Sequence, residues 1–196
     1  MNVKKGEKEL AVYEAVCRLW HQGADLRGLT VQAIAAEAGI GKGTVYEYFT
    51  SREEILGKAF LYEIQRFLDR AQEALAGASA FGEKLDVLFE AADTMVRQEA
   101  AGMQVLASYL EGGQGLEQLC ACADAAALTS RVDGLVLAAL EAGAAEGALA
   151  PFTPMRGVLA AKGLLMGYVT YLREHPGADH AAVRGETRAL LEKALG

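Results

Sequence analysis

Residues 30–49 read Thr-Val-Gln-Ala-Ile-Ala-Ala-Glu-Ala-Gly-Ile-Gly-Lys-Gly-Thr-Val-Tyr-Glu-Tyr-Phe, and this stretch decides the fold. Thr30 is placed to cap a short helix, Val31–Ala38, because its hydroxyl can accept from a free amide of the first turn. Val31, Ile34, Ala35 and Ala38 then fall on one helical face. Gly39-Ile40-Gly41 supplies a glycine past the helix end, one apolar residue to bury in the corner, and a second glycine. A further short helix, Lys42–Tyr48, begins at once. Two short helices joined by such a turn let the second enter a major groove while the first lies across the DNA backbone. Ordinary helical corners with half-buried packing tyrosines share the same outline.

The second helix has two distinguishable faces. At ~100° per residue, Val45 and Phe49 lie within about 40° of each other and face the core. Gly43, Thr44 and Glu47 point away from it, with Tyr46 and Tyr48 on the flanks. Gly43 permits a close backbone approach, and Thr44, Tyr46 and Tyr48 can donate to phosphate oxygens. Lys42 and Arg52 bring positive charge to the same edge. Glu47 is the exception, since phosphates repel a carboxylate; it either faces solvent or accepts from a cytosine amino group.

Outward from this stretch, every segment reads as helix. Before it, Val12, Ala15, Val16, Leu19 and Trp20 recur at helical spacing from about Glu7 to Gln22, and Gly23 closes the run. After it, Ser51 and Glu54 form an S-x-x-E capping box that opens a long helix to about Leu75. Further helices are expected at about 81–98, 101–111, 115–146 and 155–173, the last with Thr153 as cap and Pro154 at its first position. Asp179 caps a final helix to about Leu195. The expectation is an all-α fold of about nine helices. It comprises a helix-turn-helix domain at 1–50 and a C-terminal domain at 51–196 that begins with the linking helix 51–75.

Composition supports this. Of 196 residues, 37 are alanine and 26 leucine, against 17 valines plus isoleucines and three prolines. Alanine and leucine are strong helix formers, whereas β-branched residues favour strands, so an all-β fold is excluded. The net charge of −7 lies wholly beyond residue 60, because residues 1–60 hold eight basic and eight acidic side chains. Net charge therefore does not steer this chain to nucleic acid, and any DNA contact must come from local basic groups near the N-terminus. No apolar signal core follows the first lysines, and the longest apolar stretch, Gly157 to Leu172, is too short to span a bilayer and contains Lys162. Cys17, Cys120 and Cys122 have no cysteine pair or histidine cluster nearby, which fits a reducing cytoplasm without a structural zinc.

Residues 12–60 closely resemble the DNA-binding domain of TetR-family transcriptional repressors. The resemblance is carried by Leu19-Trp20, Thr30-Val31-x-x-Ile34-Ala35, Ala38-Gly39-Ile40, Gly43-Thr44-Val45-Tyr46-x-Tyr48-Phe49 and Ser51-Arg52-Glu53-Glu54-Ile55. The connection from Trp20 to Thr30 is about one residue longer than that pattern, and Glu47 departs from it. The resemblance implies an all-helical homodimer, with an effector-binding C-terminal domain whose last two helices form a four-helix bundle with the partner. It also implies DNA contacts by Lys42, Gly43, Thr44, Tyr46 and Tyr48, and phosphate contacts by Thr30 and Arg52.

The C-terminal domain is less explicit. Phe67, Phe89, Met95, Met103, Tyr109 and Met166 are candidates to line an effector cavity, although each also serves as ordinary core. Lys162 falls inside the apolar stripe Val158, Ala161, Leu165, Val169 and Leu172. It must snorkel, pair with a carboxylate, or anchor an acidic effector. Ala160, Gly163 and Gly167 form a small-residue strip, and Val183, Thr187, Leu190 and Leu191 an apolar stripe; both are candidates for a twofold interface. No catalytic constellation is present, as His21, His175 and His180 are isolated and no serine or cysteine sits in an activating motif.

The reading is a cytoplasmic, ligand-responsive regulator, most simply a repressor. It binds a near-palindromic double-stranded operator as a homodimer and is released by a small hydrophobic or acidic effector, without a cofactor, metal or membrane partner. The alternatives are a transcriptional activator, or a helical carrier or enzyme for apolar molecules that retains a DNA-binding corner.

Overall fold

The computed structural model describes residues 3–26, 28–94, 96 and 125–196. Among them are eight helices and no strand: α1 (Val3–His21), α2 (Val31–Glu37), α3 (Lys42–Tyr46), α4 (Arg52–Gly77), α5 (81–94), α6 (Ala125–Ala145), α7 (Pro154–Glu174) and α8 (His180–Leu195). The helix expected at 101–111 lies outside the described residues. So does the first part of the one expected at 115–146.

The described chain divides into two compact units, residues 3–67 and residues 68–94 with 126–196. The division falls inside α4 rather than at residue 50. The reason is packing: Ile55, Leu56 and Ala59, in the first two turns of α4, are buried with Val12, Val16, Val31, Ile34, Val45 and Phe49 in one apolar core. Burying each such side chain contributes roughly 1.5–3 kcal/mol, so these turns are held by the N-terminal helices.

Within the first unit, the edge of Tyr13 meets Phe49 at 5.8 Å and Trp20 stacks on Phe60 at 6.1 Å. Arg18 donates through Nε to the Glu37 carboxylate at 2.7 Å and through its second guanidinium nitrogen to the Glu37 carbonyl at 3.1 Å, fastening α1 to the end of α2.

The second unit is built from the end of α4 and from α5 to α8. Leu75, Phe81, Leu85, Leu140, Leu149, Leu191 and Leu195 are buried in one cluster, and Phe89, Tyr168, Val169 and Leu172 in another. Gly143 and Gly157 are required by close packing. A Cβ on Gly143 would lie 2.9 Å from Phe81 and Leu149, and one on Gly157 would lie 2.8 Å from Phe152. The Thr153 hydroxyl accepts from the Arg156 amide and Asp179 from the Ala181 and Ala182 amides, the two helix starts expected from sequence.

Candidate nucleic-acid interface

The corner is assembled as its residues dictate. The Thr30 hydroxyl accepts from the Ala33 amide at 3.2 Å, and Thr30 itself is exposed. At the other end of α2 the Gly39 backbone turns to φ +69°, a left-handed conformation that glycine adopts without a Cβ penalty. The Ile40 amide closes that turn onto the Ala35 carbonyl at 3.0 Å, and Ile40 packs against the core.

Helix α3 is shorter than its sequence suggests, ending at Tyr46 rather than Tyr48. The Glu47 and Tyr48 amides bond to carbonyls three residues back, at Thr44 and Val45, so the last turn is tightened. Val45 and Phe49 are nonetheless fully buried, and the outward face carries Lys42, Gly43, Tyr46 and Glu47, all exposed. Tyr46 is 51% exposed, and the Lys42 ammonium sits 6.0 Å from its ring centre. Thr44 and Tyr48 are half-buried at the flanks. The Lys8 ammonium lies 5.9 Å from the Tyr48 ring, which adds a cation from α1 to this edge. Sequence reasoning does not single out Lys8, because only the fold brings α1 beside Tyr48.

Gly43 is informative because nothing among the described residues requires it. Its backbone does not have positive φ, and an added Cβ would meet no atom within 4 Å. Glycine in a helix costs roughly 1 kcal/mol relative to alanine, a cost that no internal contact of Gly43 offsets.

Arg52 is engaged within the chain. Its guanidinium donates to the Leu26 and Leu29 carbonyls at 3.1 and 3.3 Å and to the Glu53 carboxylate at 3.1 Å. It therefore clamps the α1–α2 connection, a duty that spacing alone does not reveal. The capping box is also modified: Ser51 Oγ accepts from the Glu54 amide at 3.0 Å, but the Glu54 carboxylate reaches the Thr50 amide and hydroxyl, each at 2.7 Å. Burial raises the Glu54 carboxyl, and the bonds from Lys58 and Thr50 outweigh that effect and hold it down at about 2.

The described C-terminal candidates are distributed over both units. Phe67 is half-buried in the first unit, whereas Phe89 is buried in the second, its ring 5.3 Å from Tyr168. Met95, Met103 and Tyr109 lie outside the described residues. Met166 is 58% exposed, and the Lys162 ammonium donates to the Asp133 carboxylate at 2.7 Å. A narrow apolar cleft with room for little more than a water molecule lies among Leu88, Phe89, Leu165, Thr187 and Leu191.

The interface candidates separate into two groups. Thr187 and Leu191 are buried within the chain, and Ala160 and Val183 are half-buried against its clusters, because α8 packs on α5 and α7. Gly163 and Gly167 are exposed and open, and Leu190 is exposed. They share the surface with Met155, Leu159 and Met166, large apolar side chains on the outer side of α7.

Among the described residues, no helix is long and apolar enough to cross a membrane, and no group of three His, Cys, Asp or Glu could hold a metal ion. Cys17 is buried, and burial, with the Glu63 carboxylate beside it, pushes its thiol up to about 12.

Residues 17–59 match the model of bacterial regulatory proteins of the tetR family. The fatty acid metabolism regulator protein of Bacillus subtilis is 36% identical over 55 residues, a match that spans 28% of this chain and 28% of that protein. A TetR transcription regulator from Haloarcula marismortui superposes with a TM-score of 0.70 at 16% identity, covering 97% of this chain and 100% of that one. The regulator FadR from Bacillus subtilis, solved in complex with stearoyl-CoA, gives 0.57 at 16% identity, covering 95% and 97%. The matched segment contains the whole corner from Thr30 to Phe49, so this part of the chain is similar to the DNA-binding segment of bacterial regulatory proteins of the tetR family.

Proposed function

We propose that this protein is a cytoplasmic, ligand-responsive transcriptional regulator, acting as a repressor that binds a near-palindromic operator as a homodimer. One observation carries the reading. The outward face of α3 combines a solvent-facing tyrosine, a lysine and a glycine that no contact among the described residues explains. Such a face admits a DNA backbone at Gly43 while Lys42, Thr44 and Tyr46 contact phosphates and base edges. Thr30 and Tyr48 contact the flanking phosphates. Arg52 acts by holding the connection between α1 and α2.

The dimer forms through the outer side of α7 with Leu190. Exposed Met155, Leu159 and Met166 gain by burial there, and Gly163 and Gly167 let a partner helix approach closely. Two recognition helices then meet half-sites about one DNA turn apart, roughly 35 Å. The effector prefers the state that does not bind DNA and so shifts the population away from the operator. Its likeness to a fatty acid metabolism regulator protein and to a regulator solved with stearoyl-CoA makes long-chain acyl thioesters the first effectors to try.

The test is selection from a random duplex library by the full-length protein, followed by sequencing. Enrichment of a two-fold symmetric motif supports the reading. Retention of no motif, at a salt concentration where non-specific binding is weak, overturns it.

A further inference from the structure

Glu47 poses a problem that general DNA binding does not solve. It closes α3 four residues after Gly43, which places both on one side of the helix. It is exposed, and its carboxylate makes no hydrogen bond or ion pair among the described residues. Its neighbours on that side suit a polyanion: Lys42 is cationic, Thr44 and Tyr46 donate, and Gly43 leaves room. A lone carboxylate in their midst weakens every phosphate contact around it. The residue lowers affinity for DNA in general and offsets this only where a donor meets it.

Ionised, a carboxylate only accepts hydrogen bonds. In the major groove the donors are the N4 amine of cytosine and the N6 amine of adenine. Adenine presents its amine beside the N7 acceptor, whose lone pair repels a carboxylate. Cytosine presents the amine alone. We propose that Glu47 is a specificity residue that accepts a hydrogen bond from a cytosine N4 amine in each half-site. This inference rests on the DNA-binding reading above. The carboxylate penalises wrong sequences by repulsion and is compensated at the right one, so it is attractive and selective at once.

The experiment compares the sequences that the wild-type protein, Glu47→Ala and Glu47→Gln each select from a random duplex library. It also compares their affinities for the wild-type motif and for an unrelated duplex. The expected wild-type motif has one cytosine per half-site whose preference Glu47→Ala loses, with discrimination at that position falling about tenfold. Glu47→Ala binds the unrelated duplex more tightly than wild type does, while its affinity for the motif falls. Glu47→Gln, which both donates and accepts, shifts the preferred base to adenine. If all three proteins select the same bases, or if Glu47→Ala tightens binding to both duplexes equally, Glu47 is a solvated charge and the inference fails. In either case the wild-type motif still stands for the broader reading, whereas a wild type that selects no motif defeats both.

Discussion

The Tyr168 hydroxyl donates to the Asp93 carboxylate at 2.6 Å, joining positions 75 residues apart. Asp93 is 5% exposed, and Arg184 from α8 donates to its other oxygen at 2.5 Å. The same guanidinium bonds Glu90 at 2.8 Å and covers the Phe89 ring at 5.5 Å, while His180 lies 3.5 Å from Asp93. Three helices thus meet on one carboxylate, α5 supplying it, α7 the hydroxyl and α8 the cation. Burial raises the Asp93 carboxyl, and the bonds from Tyr168 and Arg184 outweigh it, leaving it below the usual range. Burial and the same carboxylate push the Tyr168 hydroxyl up to about 12.

Tyr168→Phe removes one donor and leaves a buried charge less well solvated. The loss expected is about 1.5–3 kcal/mol, the range for hydrogen bonds to charged groups. Urea unfolding of the variant measures it, and a midpoint equal to wild type would show that Arg184 alone satisfies Asp93.

Glu54 makes a pH-dependent contribution to the first unit. Its carboxyl is lowered from 4.5 to about 2 in the folded protein, so the folded state holds the ionised form more firmly than the unfolded chain does. The resulting stability is complete above the unfolded value and is lost as pH falls toward about 2. The stability gap between wild type and Glu54→Gln should therefore be widest above pH ~5 and close on acidification. Unfolding curves of both proteins across that range test this. A gap independent of pH would contradict it.

Arg52→Lys keeps the charge but loses the Nε donor to Glu53 and the guanidinium geometry that places one nitrogen between two carbonyls. Leaving either the Leu26 or the Leu29 carbonyl without its partner should cost about 1–2 kcal/mol and lower the melting temperature. A variant of unchanged stability with weakened DNA binding would instead make Arg52 a phosphate contact.

Leu159→Lys places a charge in the centre of the exposed apolar side of α7. If the proposed dimer forms there, the variant should sediment as a monomer with helix content unchanged by circular dichroism. Leu159 is 73% exposed in the single chain, so the chain itself loses little. A variant that stays dimeric would move the interface elsewhere.

The corner is legible in the sequence because its signals are local. Thr30 caps, Gly39 turns, and Val45 and Phe49 share a face, each within a few residues of its partner. Long-range duties are not legible. Nothing in the spacing ties Arg52 to Leu26 and Leu29, or Tyr168 to Asp93. The two stripes near the C-terminus show why periodicity stops short of packing. Thr187 and Leu190 belong to one stripe by spacing, yet Thr187 is 8% exposed within the chain and Leu190 53%. An apolar pattern shows that a face is covered without showing what covers it. Met166 is a pocket candidate by the same kind of pattern, and it lies on the surface.

The central claim is that the outward face of α3 binds DNA. Its most direct test is a titration of Tyr46→Ala and Lys42→Ala against the duplex that the wild-type protein selects, at several salt concentrations. Both variants should keep wild-type helix content and stability, since Tyr46 and Lys42 are exposed. Tyr46→Ala should weaken binding by about tenfold or more, as expected when an interaction worth ~1–3 kcal/mol is removed. Lys42→Ala should reduce the steepness of the salt dependence by roughly one unit for each phosphate the side chain no longer neutralises. Wild-type affinity and an unchanged salt slope in both variants would contradict the account.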